Sequence, residues 1–321
     1  MKAAIRRSYG GPEMIVVESC EVPVPKDNEV LVKVHATTVN RTDCANLTAK
    51  PFIMTFIIGL LKPKKPVLGT DFAGEIIAVG KNVITYKPED KVFGFTDTSS
   101  QSQATHLVTT QEHVFLIPKN CSFKQAAASL EGAHYAYTFL HKSTIKNGQS
   151  ILINGVAGAI GSALLQFVRQ YDVSITAVCN TKNIALVKSL GADKIYDFTK
   201  EDFTKDKRLY DFIFDAVGKS RFSKCKPLLK QNGVYISSEL GPYAENIFYS
   251  LFTPLFNSKK VMFPIPYSTK KTIPFISNAL ENGIFRPVID REYGLEEIAE
   301  AYTYVLAGKK TGNVIINMPD I

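Results

Sequence analysis

Residues 153–162 read INGVAGAIGS, three glycines at three-residue spacing between two apolar runs. Upstream, Ile151, Leu152 and Ile153 form the short continuous apolar run of a buried strand. Downstream, Ile160, Ala163, Leu164, Phe167, Val168 and Tyr171 recur at helical spacing, and VSITAVCN (173–180) follows as a second strand. In a strand–turn–helix unit, glycines let the backbone approach a pyrophosphate, and the helix N-terminus offers unpaired N–H groups and the positive end of its dipole. The complete βαβ unit predicts dinucleotide binding, with close helix–strand packing and no ligand as the structural alternative. The predicted cradle is Gly155, Val156, Ala157, Gly158, Ala159, Ile160 and Gly161. No Lys-Ser or Lys-Thr pair follows the last glycine, which excludes a P-loop; the spacing G-x-x-G-x-x-G is a variant of the commoner G-x-G-x-x-G.

The end of the second strand selects the dinucleotide, because an NAD site carries an acid there, about 20 residues on, for the ribose 2′-hydroxyl. Here the strand ends Val178-Cys179-Asn180-Thr181-Lys182-Asn183, without an acid. Lys182 and Asn180 can instead hydrogen-bond a 2′-phosphate, so NADP(H) is expected; the alternative is a solvated lysine in the first turn of a helix. Phe198 and Val217, at the ends of two further strands, complete the candidate cofactor contacts.

Around this unit the chain changes rhythm near Ser122. Before it, segments such as EVLVKVHATTV, FAGEIIAVG and DKVFGF are separated by GGPE, PKDN and KPED, predicting a β-rich unit that is a partly closed barrel. After it, FKQAAASLEGAHYAYTFLHK reads as one helix. The strands SILING, VSITAVCN, DKIYDF, YDFIFDAVG and GVYISS then alternate with helices at AIGSALLQFVRQY, NIALVKSLGA and RFSKCKPLLK, the order of a doubly wound parallel sheet. Helices near 270–282 and 295–307 and the strand NVIINM close the chain. A length of 321 residues fits two domains at roughly 100–200 residues each. The fold class is α/β, with a β-rich domain at 1–121 and 266–321 and a nucleotide-binding domain at 122–265.

Composition narrows the function classes. Apolar residues make up 45% of the chain and charged residues 21%, ordinary for a folded globular protein. The net charge of +8 comes from dispersed lysines with no nucleic-acid-binding signature, so a solvated surface is expected, with no nucleic-acid partner. Five scattered cysteines without a C-x-x-C pair, and a start without an apolar stretch, fit a reducing, cytoplasmic location. The apolar runs at 51–61 and 247–256 are too short to span a bilayer at ~20 residues. They are read first as core or pocket packing, with a dimer contact or, because Lys62, Lys64 and Lys65 follow the first, a membrane surface as the alternatives.

The chain resembles the medium-chain dehydrogenase/reductase superfamily, and within it the zinc-independent quinone oxidoreductase and enone reductase branch. The resemblance rests on NRTD (40–43), GTDFAGEIIAVG (69–80), DKVFGF (90–95), AAASLEGAHYAY (126–137), SLGADKIYDF (189–198) and TGNVII (311–316), and covers essentially the whole chain. It implies a GroES-like β-rich catalytic domain joined to a Rossmann nucleotide-binding domain, and a homodimer. Zinc-dependent members carry a cysteine where NRTD begins and a His-Glu pair where GTD stands. This chain has Asn40, Thr70 and Asp71 there, with Glu131 near the third ligand position, and Asn and Thr are poor zinc ligands. No metal is therefore expected, and none of the five histidines has metal-site spacing.

Without a Lewis acid, hydride reduction of an electron-poor carbon is the chemistry expected, with donors stabilising the developing oxyanion. The expected substrate is a hydrophobic small-molecule quinone or α,β-unsaturated carbonyl. Candidate donors are the Asn40 amide, the Thr70 hydroxyl and the Tyr135 phenol, each with a purely structural role as its alternative; Asp43 is expected to orient its loop. The tyrosine that many quinone reductases place two residues after the NRTD-type aspartate is Ala45 here, which leaves the proton donor open. An NADP-dependent alcohol or aldehyde dehydrogenase of the same fold and an NADPH-binding sensor without turnover remain alternatives. A short-chain dehydrogenase, suggested by Tyr267 and Lys271, is disfavoured because its glycine turn would lie near the N-terminus.

Overall fold

Strand pairing in a computed structural model of the chain, which describes residues 1–52, 54–237, 239–256 and 258–319, separates into two large sheets and a two-stranded ribbon. The first part supplies β1 (Lys2–Ile5), β2 (Val16–Ser19), β3 (Glu29–Val39), α1 (Arg41–Thr48), α2 (Met54–Ile58), β4 (Asp71–Val79), β5 (Lys91–Phe95), β6 (His106–Thr110), β7 (Phe115–Leu116) and α3 (Phe123–Ala128). The middle supplies α4 (Glu131–Lys142), β8 (Ser150–Asn154), α5 (Ala159–Val168), β9 (Ser174–Cys179), α6 (Ile184–Ser189), β10 (Lys194–Asp197), β11 (Tyr210–Asp215), α7 (Phe222–Cys225), β12 (Leu229–Ser237), α8 (Glu245–Phe256) and β13 (Lys260–Met262). The chain ends with α9 (Thr269–Glu281), β14 (Ile289–Gly294), α10 (Ile298–Leu306) and β15 (Asn313–Asn317). Two compact units result: residues 1–131 with 268–321, and residues 132–267.

In the first unit β3 is the hub. One edge of it pairs antiparallel with β4, while the other takes β15 along its C-terminal half and β6 along its N-terminal half. The last strand of the chain is thus hydrogen-bonded to an early one, which ties residues 268–321 back into this unit. Alternating valines of β3 (Val30, Val32, Val34), with Phe72 and Ile76 of β4, meet Ile298, Tyr302 and Val305 of α10 in one core. Each such fully buried side chain stabilises the fold by ~1.5–3 kcal/mol. Helix α3 rests on β3, β4 and β15, so the expected division at 121/122 falls ahead of a helix that packs on this sheet.

The second unit is the doubly wound sheet that its sequence rhythm predicts. Six parallel strands stand in the order β10-β9-β8-β11-β12-β13, so the chain begins at the centre with β8, winds out to β10, and returns to the other side of β8 with β11. Ile151, Leu152 and Ile153 are fully buried. So is nearly all of α5, as its apolar circumference requires. The reversal of direction between β8 and β11 is the topological switch point at which open α/β sheets bind ligands.

Several elements differ from the sequence expectation. The helix read over 123–142 is two helices, broken at Ser129 and Leu130. The helix read over RFSKCKPLLK is one turn, α7, followed by a 3-10 turn through Pro227 and then by β12, which begins at Leu229. Pro227 has no N–H to continue a helix. The strand read over GVYISS starts four residues earlier, at Leu229, and its last residue, 238, lies outside the described residues. The apolar runs 51–61 and 247–256 are exposed in part: Phe52, Phe56, Leu60 and Leu61 in the first, and Phe248, Leu251 and Phe252 in the second, while residue 53 and the side chains of 54, 57, 255 and 256 lie outside what the structure describes. Each run has one buried face, marked by Thr55 and Ile58 and by Thr253.

The glycines of the opening stretch carry distinct loads. Gly155 has φ +78°, a left-handed conformation that other residues rarely adopt, and a Cβ on it would stand 2.6 Å from Val217 Cβ. A Cβ on Gly161 would collide with the Gly155 carbonyl and stand 2.6 Å from Val156 Cα, both backbone. Gly158, the N-cap of α5, would meet only the Gly155 carbonyl, at 3.5 Å, an ordinary contact. Gly161→Ala is therefore expected to lower unfolding stability by about 1–3 kcal/mol in guanidinium melts. Gly158→Ser, which introduces a preferred N-cap residue, is expected to leave it unchanged or raise it. Equal melts for Gly161→Ala and the native chain would contradict this division of roles.

Candidate active site

The glycine turn sits in a frame built by Asp215, fully buried at the end of β11. Its Oδ1 accepts from Asn154 Nδ2 (3.0 Å), at the end of the neighbouring β8, and from the Gly218 N–H (3.0 Å). Its Oδ2 accepts from the Ser220 N–H and the Tyr235 hydroxyl, both at 3.0 Å. One carboxylate thus locks the loop carrying Val217 against the turn carrying Gly155. The N–H groups of Ala159, Ile160 and Gly161 open α5 and have no carbonyl partner within the helix. The missing Cβ of Gly158 serves no contact in the chain, so the open space in front of α5 fits the pyrophosphate of a dinucleotide.

The predicted 2′-phosphate residues stand together at the end of β9. Asn180 caps the 3-10 turn Thr181–Asn183, and its Oδ1 is buried without a hydrogen-bond partner. Lys182 is exposed in that turn. Phe198 is exposed at the end of β10, its N–H bonded to the Cys179 carbonyl (3.0 Å). The sequence reading found no acid here, but the adjacent strand brings one. Asp197 accepts from the Thr181 hydroxyl, from Thr199 N (3.0 Å) and from Thr199 Oγ1 (2.7 Å), with Lys200 Nζ at 3.7 Å. Hydrogen bonds from Thr181 and Thr199 hold its carboxyl below the usual carboxylate range. Tyr135, half-buried on α4, lies three residues after Gly132, whose Cβ would stand 2.7 Å from Ala159 C at the mouth of the cradle. Residues at i and i+3 share a helix face, which places Tyr135 on the cradle side of α4.

In the first unit Asn40 and Thr70 come together inside a network of buried acids. Asn40 caps α1: its Oδ1 accepts from Asp43 N (2.8 Å), and Asp43 Oδ2 accepts from Asn40 N (3.1 Å). Asn40 Nδ2 donates to Thr70 Oγ1 (2.8 Å) and Asp71 Oδ2 (3.2 Å), with Thr38 Oγ1 at 3.3 Å. Asp71 also accepts from Thr38 N (2.8 Å) and Thr38 Oγ1 (2.6 Å). Asn40 and Thr70 are both buried. Burial pushes Asp71 up to about 6 against the pull of those donors. Burial and the nearby Asp71 charge raise Asp43 well above the carboxylate range.

Sequence reasoning missed Asp215, Asp197 and one further pair. Thr42 Oγ1 donates to Glu131 Oε1 at 3.1 Å, joining residues 89 apart in the chain. Burial pushes Glu131 up to about 7, opposed by the positive charge of Lys310 and reinforced by Asp71. Both ends of the Asn40 amide are engaged, its Oδ1 by Asp43 N and its Nδ2 by Thr70 and Asp71, and burial pushes the neighbouring Cys44 thiol up to about 12. Among the described residues no three His, Cys, Asp or Glu side chains are grouped to hold a metal, and no helix is long and apolar enough to cross a membrane.

Comparison with known proteins agrees with a nicotinamide oxidoreductase of two domains. Residues 26–146 match the alcohol dehydrogenase GroES-like domain, and residues 190–316 the zinc-binding dehydrogenase family. The human quinone oxidoreductase is 30% identical over 98% of this chain and 97% of its own length. The NADPH-dependent alkenal/one oxidoreductase, chloroplastic, of Arabidopsis thaliana is 30% identical over 98% of this chain and 79% of its own. The solved structure of the quinone oxidoreductase from Coxiella burnetii superimposes with a TM-score of 0.87 over 99% of both chains at 22% identity, a likeness of fold. The chain belongs to the medium-chain dehydrogenase/reductase superfamily, in its quinone oxidoreductase-like branch. It is an oxidoreductase, and the family implies a nicotinamide cofactor.

The buried acids make stability depend on pH with a definite sign. Glu131 titrates near 4.5 when unfolded and near 7 when folded, so its contribution is fully present below 4.5 and is lost as the pH rises through 7. Glu131→Gln has no such loss. Its melting temperature relative to the native chain is expected to rise between pH 5 and pH 8, and a constant difference across that range would contradict the shift.

Proposed function

We propose that the chain is a zinc-independent, NADPH-dependent reductase of quinones or α,β-unsaturated carbonyls. The observation that carries the nucleotide half is the space in front of α5, which glycine at 158 leaves open although nothing in the chain's own packing asks for it. The substrate class comes from the relatives, whose names are those of quinone and alkenal/one oxidoreductases. When bound, the reduced nicotinamide supplies a hydride to an electron-poor carbon.

The chain's residues bind and orient. Gly155, Val156, Ala157, Gly158, Ala159, Ile160 and Gly161 hold the pyrophosphate, with the α5 dipole favouring its charge. Asn180 and Lys182 take the 2′-phosphate, and the name of the Arabidopsis relative supports NADPH. The carboxylate of Asp197 does not decide the choice for NADH, because Thr181, Thr199 and Lys200 already engage it. Phe198 and Val217 border the site as apolar walls. Tyr135 donates from beside the cradle. Asn40 and Thr70, enclosed by Asp71 and Asp43, hold the start of α1 in position. The absence of a fitting zinc donor set in this network supports reduction without a metal. The sheet edges at β10 and β13 supply surface for a homodimer.

The test is NADPH oxidation with a panel of quinones and enones, on enzyme dialysed against EDTA. Turnover that survives EDTA is expected, with Lys182→Ala weakening NADPH about tenfold, ~1.4 kcal/mol, and leaving NADH affinity unchanged. Cofactor binding without turnover across the panel would instead make the chain a sensor. Alcohol-dependent NADP+ reduction would make it a dehydrogenase, and one tightly held zinc per chain would overturn the metal-free reading.

A further inference from the structure

Residues 44–70 contain no Asp or Glu and four lysines, Lys50, Lys62, Lys64 and Lys65, in a chain that elsewhere mixes both signs. Between those lysines lies the apolar run that the first unit leaves partly outside. Phe52, Phe56, Leu60 and Leu61 are all exposed, Leu61 by 91%. Single exposed apolar residues are routine on folded chains, but four large ones in one short segment form a patch that marks a contact surface. The patch is fixed in place. Thr55 and Ile58 turn the other face of α2 inward. The Tyr9 hydroxyl donates to the Gly59 carbonyl (2.6 Å), the Lys64 N–H to the Ile58 carbonyl (2.8 Å) and Lys65 Nζ to the Ser99 carbonyl (2.8 Å). The rings of Phe52 and Phe56 meet edge to face on the exposed side, with centroids 5.9 Å apart.

We propose that Phe52, Phe56, Leu60 and Leu61, with Lys62 and Lys64 beside them, dock the protein on a bilayer surface that carries anionic lipid. The apolar side chains enter the boundary between headgroups and acyl chains, and the lysines meet the lipid phosphates and carboxylates. The inference is independent of the reductase reading, since it uses neither cofactor nor substrate.

Charge decides the occupant. A bare apolar patch would suit a second copy of the chain, but a two-fold contact sets the same lysines of both copies against each other. An anionic leaflet instead attracts them, each lysine near the surface strengthening binding about fivefold, while the apolar side chains partition as those of an interfacial helix do. The net charge of +8 works in the same direction. Helix α2 has five residues, so the contact is with one leaflet and does not cross it.

The test is co-sedimentation of the full chain with vesicles of phosphatidylcholine, alone or mixed with phosphatidylserine. Binding to the mixed vesicles is expected, weakening as salt is raised. Phe56→Ser combined with Leu61→Ser is expected to lower the partition coefficient about 100-fold. Lys62→Gln combined with Lys64→Gln is expected to lower it about 25-fold. Lys188→Gln combined with Lys207→Gln removes the same charge from exposed sites on the second unit and keeps most of the binding. The replaced side chains are exposed, and unchanged thermal melts show that the variants fold. The chain has no tryptophan, so Leu61→Trp places a single indole in the patch. Its emission is expected to shift to the blue with the mixed vesicles, whereas Ile84→Trp, at a 93% exposed site after β4, keeps the emission of a solvated indole. Absence of binding to the mixed vesicles, binding that the patch variants leave at the native level, or a blue shift in Ile84→Trp and none in Leu61→Trp overturns the proposal. So does a light-scattering mass that falls from dimer to monomer in Phe56→Ser combined with Leu61→Ser while vesicle binding stays native, which makes the patch a contact between copies.

Discussion

The close approach of helix α5 to the turn that feeds it is the constraint on which the rest of the second unit depends. Gly161 lets the first turn of α5 lie against the Gly155 carbonyl and Val156 Cα, and Gly155 can take φ +78° only because it has no side chain to strain. With those two positions fixed, the N–H groups at the start of α5 point out at the switch between β8 and β11, where the parallel sheet reverses its winding. Asp215 holds the opposite lip from the β11 side. The shape of the turn before α5 is a consequence of strand order and of two missing Cβ atoms, and Gly158 adds the open space in front of the helix.

The first unit rests on a different kind of order. Its site region is a set of buried carboxyls shared among few donors, where each acid raises its neighbours and each hydrogen bond lowers one. Asp71 collects Thr38 and Asn40, Asp43 closes the α1 cap, and Glu131 takes Thr42 while feeling Lys310. Such a network is costly unless every member is satisfied, and it defines geometry more sharply than an apolar core would. It frames the start of α1 and leaves one carboxyl, Glu131, titrating near 7.

How far the sequence reveals this depends on the range of the interaction. The βαβ unit is legible because its signals are local: an apolar run, glycines at fixed spacing and a helical apolar period all fall within 151–171. The parallel sheet follows from repetition of the same signals. Legibility fails where a short-range rule is overridden, as at Pro227, which ends α7 after one turn, and at Ser129 and Leu130, which split one apolar pattern into two helices. It fails more completely for contacts between distant residues. Thr42 and Glu131 lie 89 positions apart, and Asn154 and Asp215 lie 61 apart, so neither pair has a spacing to recognise. Asp197 was hidden for a related reason: it reaches the end of β9 from the adjacent strand, whereas the rule for choosing the dinucleotide looks only along β9 itself.

Where the nucleotide binds decides between these readings, and a crystal structure of the chain grown with NADPH measures that directly. The prediction is density for the pyrophosphate against the N–H groups of Ala159, Ile160 and Gly161, over Gly158, with the 2′-phosphate at Asn180 and Lys182. A nucleotide bound elsewhere, or a cradle that stays empty at saturating NADPH, would contradict it.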